Sequence, residues 1–394
     1  MDHSDIIIVG AGEAGVRAAF ALRENGFDGS VTLFSEEEAL PYERPPLSKS
    51  AVEGTAKLIA AEEAYADARI NLLRGQCIHG IDTDKKTVSC DSGVHGYEKL
   101  LLTTGAEARR HPLFPDACYL RRDTDAARIL PHLEKEKHLV ILGAGFIGLE
   151  LACTARLFGA EVTVVEIGPR ILGRAVPEDL ALKLHERHVN EGVRILTNTT
   201  ITPVEKHLQL KDGTRINANL VAVGIGSCPR TDLAERSGLI CENGIVVDKR
   251  FRTNAPDVYA AGDCCAVCES GGLRRYESWR VAREQAEYAV LAMLDQMPKE
   301  PLLPYFWSDQ YDMCLQVSGH TEASNQKVLR DLGGKGQLVF ELNQAGQLVA
   351  VSGLGRGTSI SKDFKLSERL IRAKAKPAAV DLAAPEVSLK KVGT

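Results

Sequence analysis

An α/β fold, with one strand–turn–helix unit used twice and a smaller α+β domain at the C-terminal end, is predicted by three features of the chain. The first is the apolar run Ile6-Ile-Ile-Val9, which leads into Gly10-x-Gly12-x-x-Gly15. The second is the return of that order at His138-Leu-Val-Ile-Leu142 and Gly143-x-Gly145-x-x-Gly148. The third is a change of pattern beyond Gln310, where alternating stretches replace the α/β order.

The opening run is continuous rather than alternating, which marks a parallel strand covered on both faces. Ala14 to Leu22 then reads as a small-residue helix. In that context each glycine has a job: Gly10 makes the tight turn, Gly12 lets backbone approach a pyrophosphate, and Gly15 lets helix and strand pack closely. The helix N-terminus supplies N–H donors and partial positive charge to phosphates. A second strand, Val31 to Phe34, ends in Ser35-Glu36, where a carboxylate takes ribose hydroxyls. The unit is Rossmann-like, and a dinucleotide is its expected ligand.

Next comes Pro41-Tyr-Glu-Arg-Pro-Pro-Leu-Ser-Lys49. Its adjacent prolines stiffen the turn, and Ser48 stands where a helix can be capped. Arg44 and Lys49 are either surface charges or charges carried on a rigid support beside the ligand. Residues 51 to 95 alternate helical and strand-like patches, and Tyr97 to Thr103 is a strand ending at Thr104-Gly105.

In the repeat, Leu149 to Phe158 is the helix and Val162 to Val165 the next strand, closed by Glu166. Glu166 lies 23 positions after Gly143, close to the spacing of a ribose binder. A carboxylate there accepts from free hydroxyls and repels a 2′-phosphate, so NADH is preferred over NADPH. Arg170 and Arg174 follow, but Gly168 and Pro169 turn the chain before them. Two fingerprints in one chain mean two dinucleotide sites. Further strands are Leu220 to Gly226, Gly244 to Asp248 and Thr253 to Asp263, the last delivering Asp263 as a turn aspartate or a site residue. Arg274 to Leu294 reads as a long helix with Trp279 and Arg280 near its start. Gln337–Leu342 and Gln347–Ser352 read as a hairpin, followed by a helix from about Lys362 to Lys374. The expected domains are 1–112 with 244–320, 113–243, and an α+β domain over 321–394.

Composition narrows the function classes. With 394 residues, 44% hydrophobic, 26% charged and a formal charge of −5, the chain is ordinary globular protein without a basic balance for nucleic acid. The acidic start is not a secretory signal, and no apolar stretch is long enough for a membrane span. Ten cysteines, mostly single, read as reduced thiols in a cytoplasmic protein. Cys264-Cys265-x-x-Cys268 lacks a fourth nearby ligand, so no metal site is expected.

The motifs Arg44-Pro-Pro-Leu-Ser-Lys49, Gly145-Phe-Ile-Gly-Leu-Glu150, Ala260-Ala-Gly-Asp263, Glu277-Ser-Trp279 and Trp307-Ser-Asp-Gln310 carry a resemblance over essentially the whole chain. It resembles the FAD-dependent, NADH-using ferredoxin reductases of bacterial oxygenase systems, within the glutathione reductase superfamily. The resemblance implies that Gly10, Gly12, Gly15 and Glu36 hold the ADP half of FAD. It places Arg44 and Lys49 near the flavin, gives Asp263 a ribityl hydroxyl and sets Trp307 by the ring. Thr104, Gly105, Glu277, Ser278 and Trp279 join the FAD residues. Gly143, Gly145, Gly148, Glu166 and Gly226 are expected to hold NADH, with Glu150 near the nicotinamide and able to pair with Lys49. Lys49, Glu150 and Trp307 are the expected catalytic residues.

Two departures stand out. Thr103-Thr104-Gly105 occupies the place where Ala-Thr-Gly is common, and the cysteines after Asp263 leave open a thiol close to the flavin. Disulphide reductases of the superfamily carry a Cys-x4-Cys or Cys-x-x-Cys pair near the flavin; here Arg44 to Lys49 stands in the first place and no such pair precedes Cys264. Electrons would therefore leave to an external acceptor. The resemblance implies hydride transfer from NADH to flavin, then single electrons to a [2Fe–2S] ferredoxin that feeds a Rieske oxygenase or a cytochrome P450. An acidic ferredoxin would dock on Arg274, Arg275, Arg280 and Arg283, unless these line an ordinary solvated helix face. Other readings are a rubredoxin reductase, an NADH oxidase, or an NADH-sensing flavoprotein of apoptosis-inducing-factor type. A monomer and a dimer are both compatible.

Overall fold

The computed structural model describes residues 2–49, 56–173, 176–205, 207–269, 271–298 and 300–392. The chain divides into two compact units, each assembled from segments distant in sequence. The first comprises Met1–Arg44, Thr55–Glu107 and Ser227–Leu302; the second comprises Pro45–Gly54, Ala108–Gly226 and Leu303–Thr394.

In the first unit the strand Asp2–Val9 lies between Val31–Phe34 and Gly93–Leu102, all parallel. Ile70–Leu73 extends one edge, and Val258–Ala260 pairs with the end of Gly93–Leu102. Ile7 sits opposite Thr32 on one side and Leu100 on the other. Ile6 to Val9 are all buried, as expected of a strand covered on both faces. Helices Glu13–Glu24 and Trp279–Met293 pack together through alanines, Ala18, Ala19, Ala286 and Ala289, none with any exposure. Side chains that small let two helices approach closely, and two ion pairs of 2.6 Å, Arg17–Glu287 and Arg283–Glu13, tie the helices together. The second helix begins at Trp279 and not at Arg274 as expected. Gly272–Arg274 is instead a short strand paired with Cys265–Glu269, and extended Ser278 caps the helix start.

The second unit is built around two larger sheets with helices packed on them. Val193–Leu196, Glu161–Val165, His138–Leu142 and Leu220–Val223 form a parallel sheet, in that order. The helix Phe146–Leu157 crosses it, buried throughout from Gly148 to Ala155. A five-stranded antiparallel sheet runs Tyr305–Gln310, Met313–Gly319, Leu348–Arg356, Gly336–Leu342, Gln326–Asp331. The stretch 305–319, assigned from the sequence to the first domain, is thus hydrogen-bonded into the C-terminal sheet. Alternation decides what each face does. Val339 joins Leu315 and Leu354 in a core shared with Leu149 and Leu184, while Leu338 and Phe340 face Phe364 and Ile371 of the helix Ser361–Arg372.

The last turns of chain are pinned by a buried cation. Arg330, 2% exposed, donates to the carbonyls of Leu382 at 3.1 Å, Val387 at 2.7 Å and Pro385 at 3.2 Å. Removing such a donor strands several acceptors at once, so Arg330→Met is expected to cost roughly 3 kcal/mol in denaturant unfolding. It should also make the segment after residue 380 the first site of limited proteolysis. An unfolding midpoint equal to that of the parent chain would rule out this pinning role.

Candidate functional site

The two glycine turns have the same construction. Gly10 and Gly143 have φ of +106° and +99°, a region that disfavours any side chain. A Cβ on Gly10 would collide with the Thr103 carbonyl, and one on Gly143 with the Gly224 carbonyl. A Cβ on Gly15 would strike the Gly10 carbonyl, and one on Gly148 the Gly143 carbonyl. These four glycines are needed by the protein's own packing. The middle glycines differ: nothing lies within 4 Å of a Cβ on Gly12, and only the Gly224 oxygen, at 3.9 Å, near one on Gly145. Gly12 and Gly145 cap 12-residue helices, and neither cap has a side-chain hydrogen bond. The open face there, lined by first-turn N–H groups, fits a pyrophosphate. Both cradles therefore suit a dinucleotide.

Around the first cradle the fold gathers several expected residues. Thr103 Oγ1 donates to the Gly10 carbonyl at 2.7 Å, and Thr104 Oγ1 to the Arg230 carbonyl at 2.7 Å. Arg230 N–H donates in turn to the Gly105 carbonyl at 2.9 Å. Gly262, whose N–H is held by Gln285 Oε1 at 2.8 Å, packs over Ala14 and so sets Asp263 by the first helix turn. Glu277, Ser278 and Trp279 precede or open the helix whose Arg283 pairs with Glu13, in the middle of the glycine motif. Glu36 ends the second strand as expected, but a partner that sequence reading did not name sits on it: Arg230, at 2.6 Å. Arg44 pairs with Glu37 at 2.8 Å and lies over the Tyr42 ring at 5.4 Å. Arg44 belongs to the first unit and Lys49 to the second.

At the second cradle Glu166 accepts from the N–H of Ala144 at 2.8 Å and of Gly168 at 2.7 Å. The first of these bonds clamps the carboxylate to the glycine turn. Gly226, at φ +106°, accepts from the Arg109 N–H at 2.9 Å. Arg170 turns back on its own loop and donates to the carbonyls of Gly173 and Val176, each at 3.1 Å. An arginine held this way is not presented to a 2′-phosphate, which favours NADH. Arg174 lies outside the described residues.

The second unit also assembles Lys49, Glu150 and Trp307. Lys49 Nζ is 3.5 Å from Glu150 Oε1, 3.6 Å from Asp309 Oδ2 and 5.0 Å from the centre of the Trp307 ring. Trp307 Nε1 donates to Asp309 at 3.0 Å. Glu150 is 6% exposed, and burial pushes its carboxyl upward. Against burial stand the Lys49 charge, Ser308 Oγ donating at 2.6 Å, and Ser48 Oγ donating to the other oxygen. Thr154 Oγ1 donates to the Ser48 carbonyl at 2.7 Å and fixes the Pro45–Ser48 turn on the helix.

Two expectations change in meaning. Each arginine of the expected basic patch faces a carboxylate: Arg274 with Glu269 at 3.2 Å, Arg275 with Glu277, Arg280 with Glu284 at 3.0 Å and Arg283 with Glu13. Cys265 and Cys268 lie three residues apart on one extended strand, which separates their Cα atoms by about 10 Å, beyond the span of a disulphide. Cys264 and Cys265 have no exposure, and burial pushes both thiols up. Among the described residues no three His, Cys, Asp or Glu are grouped to hold a metal ion.

Comparison with known proteins agrees with this geometry. The family described as pyridine nucleotide-disulphide oxidoreductase matches residues 4–286, and the one described as reductase C-terminal matches 305–393. The 3-phenylpropionate/cinnamic acid dioxygenase ferredoxin–NAD(+) reductase component of Photorhabdus laumondii is 38% identical, over 86% of this chain and 90% of its own. Terpredoxin reductase of a Pseudomonas species is 38% identical, over 88% of each. Among solved structures, putidaredoxin reductase in its covalent complex with putidaredoxin superposes with a TM-score of 0.92 at 31% identity, over 99% of this chain and 97% of that one. The ferredoxin reductase of the CYP199A2 system of Rhodopseudomonas palustris gives 0.91 at 32%, over 98% and 99%.

The glycine geometry separates packing from binding. Gly15→Ala and Gly148→Ala are expected to lose about 3 kcal/mol or more in urea unfolding. Gly12→Ala should stay within about 1 kcal/mol of the parent yet retain much less FAD on gel filtration. Equal unfolding losses in all three would contradict the division. His188 gives a pH signature. It has no exposure, and burial, with His185 and Arg187 nearby, lowers its pKa to about 4 against the bonds and charges of Gln310 and Glu191. The unfolded chain takes up this proton near pH 6.5 and the folded one only near 4. Stability should thus fall as pH drops through that window, by on the order of 3 kcal/mol. Unfolding curves of His188→Gln should lack that part of the slope; an unchanged slope would assign it elsewhere.

Proposed function

Since the chain belongs to the pyridine nucleotide-disulphide oxidoreductase family, we propose that it is an NADH:ferredoxin oxidoreductase, passing electrons through FAD to a [2Fe–2S] ferredoxin of an oxygenase system. The observation that carries the reading is two dinucleotide cradles and, among the described residues, ten free cysteines with no disulphide, Cys265 and Cys268 sitting on an extended strand and Cys264 being buried. The ferredoxin reductases among its relatives favour this acceptor over rubredoxin, oxygen or a signalling role. FAD supplies, when bound, the conversion of a two-electron hydride donor into a source of single electrons.

The chain's part is placement and electrostatics. In this reading Gly10, Gly12 and Gly15 hold the FAD pyrophosphate, Glu36 its ribose, and Asp263 the ribityl chain. Arg44, Thr104, Gly105, Glu277, Ser278 and Trp279 complete the FAD residues. Gly143, Gly145, Gly148, Glu166 and Gly226 hold NADH. Lys49 offers an ammonium to the charge that builds up on reduction, and Trp307 shields it. Glu150 and Asp309 fix where that ammonium stands. Docking of the ferredoxin on Arg274, Arg275, Arg280 and Arg283 requires these cations to exchange their present carboxylates for those of the partner. Cytoplasmic residence fits ten unpaired thiols.

Purified protein with NADH should reduce cytochrome c slowly alone and rapidly once a [2Fe–2S] ferredoxin is added. Rapid oxygen consumption without ferredoxin would contradict the acceptor. Lys49→Met is expected to slow flavin reduction by NADH about tenfold or more and to lower the flavin potential; if neither moves, Lys49 has no such role. Arg280→Glu should raise the KM for ferredoxin several-fold at low salt, with the difference fading at high salt and ferricyanide reduction intact. An unchanged KM would leave Arg280 to its pairing with Glu284.

A further inference from the structure

The strand Tyr305–Gln310 works on two faces. Trp307 and Asp309 stand toward Lys49, while Ser308 and Gln310, 0% and 1% exposed, point inward. From Glu150 an unbroken line of side chains leads into the unit. Ser308 Oγ is 2.6 Å from Glu150 Oε1, and Gln310 Nε2 is 2.9 Å from Ser308 Oγ. His188 Nε2 is 2.7 Å from Gln310 Oε1, and Tyr311 Oη is 3.2 Å from His188 Nδ1. His188 has no exposure, so the line does not run out to solvent through its ring. Such buried polar lines are tolerated when every member is satisfied, and this one is.

The line has a direction. An amide offers one accepting end and one donating end. With Oε1 toward His188, the ring carries its proton on Nε2, and Nδ1 accepts from Tyr311. Gln310 Nε2 donates to Ser308 Oγ, and the serine hydrogen is left for Glu150. Every hydrogen points at Glu150, and a carboxylate is what can accept there. The neutral ring is part of this polarity, since a protonated one would donate from both nitrogens and could not accept from Tyr311.

We propose that Ser308, Gln310 and His188 are positioning residues that act through Glu150, their directed hydrogen bonds keeping this buried carboxylate ionised and thereby keeping the Lys49 ammonium anchored between Glu150 and Asp309. The inference rests on the reading above that Lys49 serves the flavin. The charged and titratable groups that bear on the line are Lys49 and Asp309 at one end, His185, Arg187 and Glu191 around His188, and Arg156 with the Cys153 thiol beside Tyr311 and Glu150. With Glu150 neutral, the one carboxylate left to Lys49 among the described residues is Asp309, whose side chain is half exposed, beside the face of the Trp307 ring.

The test reads the Glu150 proton directly. The full chain, flavin-loaded as purified and carrying carboxyl-labelled glutamate, is titrated by infrared difference spectroscopy, and the Glu150 band is identified by its loss in Glu150→Gln. Ser308→Ala and His188→Leu are expected to raise the proton affinity of Glu150 about tenfold, one pH unit in midpoint. His188→Gln, which keeps a donor at the Nε2 position, should stay within about threefold of the parent. Should Ser308→Ala fail to fold, Gln310→Met, close in volume, breaks the same line. A Glu150 titration unaltered in the broken-line variants overturns the proposal. So does an equal shift in His188→Gln and His188→Leu, which is what packing alone would give. Parent protein that reduces no [2Fe–2S] ferredoxin while its variants shift Glu150 as described would refute the proposed acceptor and leave the line standing.

Discussion

A carboxylate removed from water must be solvated by the protein around it, and in the second unit that requirement falls on Glu150. Desolvation alone pushes its carboxyl up and disfavours the charged form. Two segments far apart in sequence meet to oppose this: the stretch Pro45–Lys49, with the Ser48 hydroxyl and the Lys49 charge, and the strand Tyr305–Gln310 with Ser308. The same strand is hydrogen-bonded into the five-stranded sheet, and Thr154 ties the turn to the helix that carries Glu150. A buried pair of this kind is weak evidence for stability, because an apolar replacement often does as well. Its value lies in fixing the position of the Lys49 ammonium.

The turns were legible because their information is local. Strand, glycines and helix follow one another within about fifteen residues, and the three glycine roles can be assigned from spacing alone. Glu166 was legible for the same reason, since a strand end and a turn predict where it stands. Arg230 on Glu36 was not, because 194 positions separate them and no local pattern joins them. His188 reads as an ordinary residue on an amphipathic helix, and only the fold brings Gln310 to it. Trp307-Ser-Asp-Gln310 was visible as a motif, yet strand alternation, which sorts its members onto two faces, needed the register. The helix expected from Arg274 starts late because Gly272–Arg274 found a strand partner in Cys265–Glu269. Local propensity lost there to sheet pairing.

Charge behaves in the same divided way. The expected basic patch was counted from arginines alone, whereas their carboxylates lie at Glu269, Glu277, Glu284 and Glu13. Three of these four are close neighbours in sequence and could have been weighed; Glu13 is 270 positions from Arg283 and could not. The pairing of Glu13 with Arg283 has a second effect. It sets a neutralised acid, rather than a bare one, at the start of a helix whose first turn is suited to phosphate.

The clasp of Arg330 bears on how the chain is made. Its guanidinium lies in the edge strand Gln326–Asp331, but the carbonyls it needs extend to Val387. During synthesis a buried cation with no acceptors would oppose closure of that sheet until some sixty further residues have emerged. Glu150 waits longer, for a serine 158 positions ahead. Order of translation thus delays the second unit's last polar contacts, and nascent chains paused before residue 387 should be the ones that chaperones and proteases engage.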